Sequence, residues 1–265
     1  MAERQGSPTE VACGIVSRAF TTFWMGNWDQ ARRELEHAVA MRDQANVSVY
    51  DSTYPLYLGC LSLAEGEWDE AGRCLENAGA IAEQRCGEGD LADARWAQGL
   101  LAERDLLLGC PGAARARLVP LLDRPGLEEL FVTRFLPTLA WAQLELGQIG
   151  EAEHVAAQAI RRMRADNLRL DLPDALRVQA MVLIRQGRWA EAVQALEEGL
   201  VLARSMPYPY AEARLLHVYG EMHVLTGEPE PARERLEAAL AIFQRLGARK
   251  DAERVEQAIA DLHHP

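Results

Sequence analysis

The chain has 265 residues, 49% of them hydrophobic and only 6% aromatic, with a net charge of −12. That is enough apolar material for a sizeable core, and the weight of alanine, leucine, glutamate and arginine favours helix over sheet. The acidic balance argues against a general nucleic-acid surface, which needs clustered cations to displace counterions.

Residues 1–10 are expected to fray. The first repeat then carries Arg18-Ala19, Gly26, Ala31, Leu35 and Ala38. The same order returns as Leu58-Gly59, Gly66, Ala71, Leu75 and Ala78, and again as Leu101-Ala102, Gly109, Ala114, Leu118 and Leu121. The fourth repeat has Leu139-Ala140, Gly147, Ala152, Ala156 and Ala159; the fifth has Gln179-Ala180, Gly187, Ala192, Leu196 and Gly199. Tyr219-Gly220, Gly227, Ala232, Leu236 and Ala239 make the sixth, and residues 249–262 are predicted to form a closing helix. The turn glycines are separated by 40, 43, 38, 40 and 40 residues. Steps of four and three keep the small and large apolar residues on one helical stripe, and each glycine suits a sharp helix end. Each repeat is therefore a helix, a turn and a second helix, which can bury its apolar face only by stacking on its neighbours. Polar, glycine- and proline-rich stretches at 83–90, 123–126, 164–173 and 204–209 mark the connections. Pro120 and Pro137 fall inside helices and are expected to kink or shorten them, making the third and fourth repeats the least regular.

The pattern of a bulky-small pair, glycine, aromatic, acid-alanine, apolar residue and final alanine resembles the tetratricopeptide repeat over roughly residues 11–245. That family's usual period is about 34, so a period near 40 implies longer helices or loops. Enlarged repeats of this kind are similar to the C-terminal arrays of bacterial ATP-dependent regulators of the maltose-activator and LuxR type. The resemblance implies an all-α, right-handed helical solenoid of six hairpins over residues 11–248, with residues 249–265 as capping helix and tail.

Six tryptophans divide on this frame. Trp28, Trp68 and Trp189 begin second helices, where Pro111, Ile149 and Pro229 stand in the other repeats, so they read as bulk covering the hairpin end. Trp24, Trp96 and Trp141 lie on first helices, which the resemblance places on the concave face. Phe20, Arg134, Arg177, Arg214 and His217 share that face, and aromatics beside arginines suit a peptide, a partner protein or a small anionic effector. Pairing of the arginines with Glu103, Asp174 or Glu221 is the structural alternative. The lysine–asparagine clamp that some family members use for a terminal carboxylate has no match at the corresponding pairs, Arg177/Met181 and His217/Glu221 among them.

No chemistry stands out beside this. The five cysteines, Cys13, Cys60, Cys74, Cys86 and Cys110, form no CxxC pair and read as reduced cytosolic thiols. The six histidines make no HExxH or other ligand spacing, and no GxxxxGK[ST], GxGxxG or GxSxG is present. The first twenty residues lack the features of a signal peptide, and no apolar run approaches the ~18 residues of a membrane span. The expectation is a cytoplasmic binding or scaffold module without catalytic residue, metal or cofactor and without direct nucleic-acid or membrane contact, serving in one form as the sensor part of a transcription regulator. A homo-oligomeric assembly adaptor using the terminal helix is the alternative. An enzyme would have to draw on Glu103, His217 and Glu221.

Overall fold

The computed structural model describes residues 8–45, 51–85, 88–122 and 130–262. Among these residues there are thirteen helices and no strand. They follow in order as α1 (Pro8–Trp24), α2 (Trp28–Ala45), α3 (Thr53–Glu65), α4 (Trp68–Arg85), α5 (Glu88–Leu107), α6 (Pro111–Leu122), α7 (Leu130–Glu145), α8 (Ile149–Ala165), α9 (Leu172–Arg185), α10 (Trp189–Ser205), α11 (Pro209–Thr226), α12 (Pro229–Leu246) and α13 (Arg249–Asp261). The fold class is thus all-α, six helical hairpins and a closing helix, as the repeat implies.

The turn glycines do what their spacing requires. Gly26, Gly66, Gly109, Gly147, Gly187 and Gly227 all have φ between 72° and 86°, a region that a Cβ disfavours. Each donates its N–H back into the ending helix while the following residue reaches one position further. Gly66 N bonds Leu63 O at 3.2 Å and Glu67 N bonds Ser62 O at 2.8 Å, so the last carbonyls are satisfied. A seventh, Gly247 with φ 81°, ends α12 in the same way but lies outside the repeat period.

Packing follows the stripe. Ala31, Ala71, Ala114, Ala152, Ala192 and Ala232 are all 0% exposed. In the second and sixth repeats the leucine four residues on fills the notch left by a glycine of the first helix. A Cβ on Gly59 would sit 2.7 Å from Leu75 Cγ, and one on Gly220 would sit 2.6 Å from Leu236 Cγ. Gly199 receives Leu215 of the next repeat equally closely, at 2.8 Å.

The chain divides into two compact units, residues 1–100 and 101–265. In the N-terminal unit α1 packs on α2, α3 on α4, and α2 on α3. In the C-terminal unit second helices pack on the next first helix, α8 on α9, α10 on α11 and α12 on α13, while α7, α9 and α11 also touch in succession. Thus Ala140, Ala156 and Val178 share one buried cluster, and Leu144, Ala152 and Val182 the next.

The prolines act unequally. Pro120 stands in the last turn of α6, whose 12 residues make it the shortest helix among those described. Pro137 lies inside an uninterrupted α7. The expected loop at 123–126 lies outside the described residues.

Candidate functional site

Only some of the tryptophans that open second helices close the hairpin ends. Trp28 is 3% exposed, stacks on Phe23 at 5.6 Å and donates Nε1–H to the Phe23 carbonyl at 3.0 Å. Trp68 is half-buried, and Trp189 is exposed. Apolar bulk is accommodated at this position without being sealed in every repeat.

In the N-terminal unit the first-helix aromatics find one another. Phe20 of α1 stacks on Tyr57 of α3 at 4.5 Å and meets Trp96 of α5 edge-on at 5.2 Å. Trp24 joins it at 5.0 Å, and Tyr57 also meets Trp96 at 5.7 Å. Offset and edge-on rings at these separations attract beyond their buried area. Phe20, Trp24 and Trp96 therefore form a packed cluster.

In the C-terminal unit the corresponding faces enclose a cavity of about 580 Å³. Each helix contributes one stripe: Trp141, Leu144 and Glu145 from α7; Arg177, Met181, Ile184 and Arg185 from α9; Tyr210, Arg214, His217, Val218 and Glu221 from α11. From α13 come Asp251, Arg254 and Ala258, spaced three and four apart so that they share a face. Leu107, at the end of α5, completes the wall.

The arginines are paired within the protein. Arg214 lies 2.9 Å from Glu103 and 3.5 Å from Asp174. Arg177 donates Nε–H to Asp174 at 2.8 Å, and its guanidinium covers the Trp141 ring at 4.9 Å. Burial pushes the Asp174 carboxyl up, but Arg177 and Arg214 outweigh it and hold the pKa below the ordinary 3.8. Burial likewise disfavours the Arg214 cation, yet Asp174 and Glu103 carry its pKa above the usual value. Tyr210 donates to Asp251 at 2.9 Å, and burial with that carboxylate raises the phenol well above 10.0. Arg254 reaches across to the Leu107 carbonyl at 2.9 Å, tying α13 to α5. His217 stands 3.4 Å from Glu221; burial, which outweighs that carboxylate, lowers its pKa from 6.5.

Of the residues singled out in the sequence, Trp141, Arg177, Arg214 and His217 line this cavity. Arg134 lines none of it and is tied to Asp171 at 3.1 Å. Tyr210, Asp251 and Arg254 were missed, the last two because a helix outside the repeat drew no comparison with the others. Glu103, the first of the residues an enzyme would need, is held by Arg214. Among the described residues no group of three His, Cys, Asp or Glu could hold a metal, and no helix is long and apolar enough to cross a membrane.

Residues 171–245, covering α9 to α12, match the tetratricopeptide repeat family model. A Rap protein complexed with competence and sporulation factor superposes with a TM-score of 0.66 over 94% of this chain and 73% of that one, at 13% identity. The fold is that of the tetratricopeptide repeat. The apo form of RapI is similar at a TM-score of 0.61 and 10% identity, over 95% of this chain and 97% of that one. A signal transduction ATPase with a tetratricopeptide repeat sensor, from Pyrococcus horikoshii, gives a TM-score of 0.60 at 13% identity. This chain is covered to 94% in that match and spans 37% of the ATPase. No curated protein matches the sequence significantly. At these identities the shared property is the fold, and the cavity residues are this chain's own.

Proposed function

We propose that this chain is a non-catalytic binding module that holds a short peptide, or a peptide segment of a partner protein, in the cavity of its C-terminal unit. Residues 11–248 form the array and residues 249–265 close it. The observation that carries the reading is the cavity itself: about 580 Å³, within the ~300–1,000 Å³ of ordinary ligand sites, with Leu144, Met181, Ile184 and Val218 as apolar lining. Its polar side chains converge from four helices, and internal pairing holds them in place, which favours a pre-formed site over a collapsible one. The likeness to a Rap protein complexed with competence and sporulation factor, and to an ATPase whose repeats are a sensor, supports a receptor for signals. In this reading the module works in the bacterial cytoplasm as the sensory part of a regulator, and any contact with DNA or ATP belongs to other domains or partners.

The test is selection of peptides from a displayed heptapeptide library, with a counter-screen on Met181→Trp, which fills the cavity. Selected peptides should bind the unaltered protein and lose binding to the variant, whose helicity and melting temperature remain near normal. Peptides that bind both forms equally would remove the cavity from the function.

A further inference from the structure

Charge at the cavity separates into a compensated interior and an uncompensated mouth. Inside, Arg177 is matched by Asp174, Arg214 by Glu103, and Arg254 by Asp251, the last at 3.8 Å. Three lining carboxylates, Glu145, Glu221 and Asp261, are exposed and stand outside those pairs. Arg185 is the exposed cation that lines the cavity with them. His217 leaves the Glu221 charge in place, because burial keeps its imidazole neutral at neutral pH. The mouth is therefore acidic over an apolar interior, on a chain whose net charge is −12.

A second observation points to a ligand. Arg177 is only 5% exposed, and its Nη2 has no hydrogen-bond partner in the protein. Its Nε is used by Asp174, its Nη1 lies 3.2 Å from Met181 Sδ, and Trp141 covers its plane. Buried donors are rarely left unmet, and the thioether on the neighbouring Nη1 belongs to an unbranched, adaptable side chain that can move aside. A neutral oxygen acceptor suits Nη2 better than a carboxylate, since the guanidinium charge is already balanced by Asp174 and the mouth repels anions.

Resting on the reading above, we propose that the cavity selects an apolar peptide with a cationic end. Aliphatic side chains lie against Met181, Ile184 and Val218, a backbone carbonyl accepts from Arg177 Nη2, and the basic group meets Glu145, Glu221 and Asp261 at the mouth. Discrimination against a cation-free peptide comes from partly exposed charges, so it is modest, falls with salt and amounts to about two- to tenfold.

The experiment is calorimetric titration of the full chain with three N-acetylated, C-amidated peptides. Each has three leucines followed by arginine, glutamine or glutamate. Affinity should fall in that order. The spread should narrow in a Glu145→Gln, Glu221→Gln double variant and at high salt. Arg177→Lys, which keeps the charge beside Asp174, should weaken all three alike. Equal affinities, a preference for glutamate, no binding of any peptide, or a spread unchanged in the double variant would overturn the proposal. If the peptides bind without charge order but still fail on Met181→Trp, the cavity reading stands and only its selectivity falls. Binding that also ignores Met181→Trp removes both.

Discussion

In the N-terminal unit Phe20 meets Tyr57 at 4.5 Å and Trp96 at 5.2 Å, so half-buried first-helix rings pack on one another. In the C-terminal unit first helices of the same repeat carry Asp174, Arg177 and Arg214, the closing helix adds Asp251, and about 580 Å³ stays open. The contrast lies in the chemistry of the side chains and not in the backbone repeat. Rings gain by touching and carry at most one polar atom each, the Tyr57 hydroxyl and the indole N–H of Trp24 and Trp96, so their faces draw together. Guanidinium and carboxylate groups gain only when fully paired, and each pair fixes a spacing between the helices that bear it. The same repeat thus carries a ring cluster in one unit and a lined cavity in the other.

The largest effect should come from opening the charge network. Arg214→Leu leaves Glu103 and Asp174 without their shared cation, and breaking a buried pair in this way costs about 3–5 kcal/mol. In the N-terminal unit the counterpart Phe20→Leu keeps most of the apolar volume and should cost under about 1.5 kcal/mol. Urea unfolding of both variants checks the order; the reverse order would mean that the rings, not the ion pairs, set the architecture.

A second pair separates buried from decorative tryptophans at one repeat position. Trp28→Ala should lose about 3–5 kcal/mol, because the indole is 3% exposed and bonded to the Phe23 carbonyl. Trp189→Ala should stay under about 1 kcal/mol, since that side chain is 37% exposed. The same unfolding curves decide this, and equal losses would show that the position is structural in every repeat.

The third comparison crosses the two regions directly. Trp96→Ala removes ring contacts with both Phe20 and Tyr57 and should cost about 2 kcal/mol. Trp141→Ala removes a guanidinium–ring contact, a half-exposed hydrogen bond to Glu145 and packing at the edge of the Ala140–Ala156–Val178 cluster, and should cost about 1 kcal/mol while abolishing most peptide binding. A Trp141→Ala protein that binds undiminished would place the ligand elsewhere.

The contrast also marks what the sequence makes legible. A glycine every 40 residues or so, with alanine and leucine at fixed offsets, specifies hairpins because turn and stripe each have one workable geometry. Gly247 has the same turn geometry but stands 20 residues after Gly227, so periodicity alone passes over it. Trp141, Arg177, Arg214 and His217 can be picked out because the repeat does not need them. Their partners are harder to read. Whether an arginine faces an acid or a ligand depends on the lateral spacing of helices 30 or more residues apart, and Arg214 meets Glu103 across 111 positions. The wall that α13 supplies through Asp251 and Arg254 follows no repeat offset at all.

The smallest effect is a pH dependence confined to the C-terminal unit. His217 has a folded pKa below the ordinary 6.5, set first by burial, with Arg254 and Arg177 adding to it and Glu221 and Asp251 opposing it. Below about pH 6.5 the unfolded chain therefore takes up the proton before the folded one does, so stability should decline as pH falls through that value and level off below the folded pKa. Asp174 acts in the same direction but lower: its contribution is complete above its ordinary 3.8 and is lost only on further acidification. Melting temperatures between about pH 7.5 and 5 sample the onset of the histidine's window while staying above that of Asp174. His217→Asn should flatten the curve in that interval. Trp96 packs on Phe20 and Tyr57 in the other unit, so Trp96→Ala should lower the whole curve without changing its slope. A slope that survives His217→Asn would locate the titrating group outside the cavity.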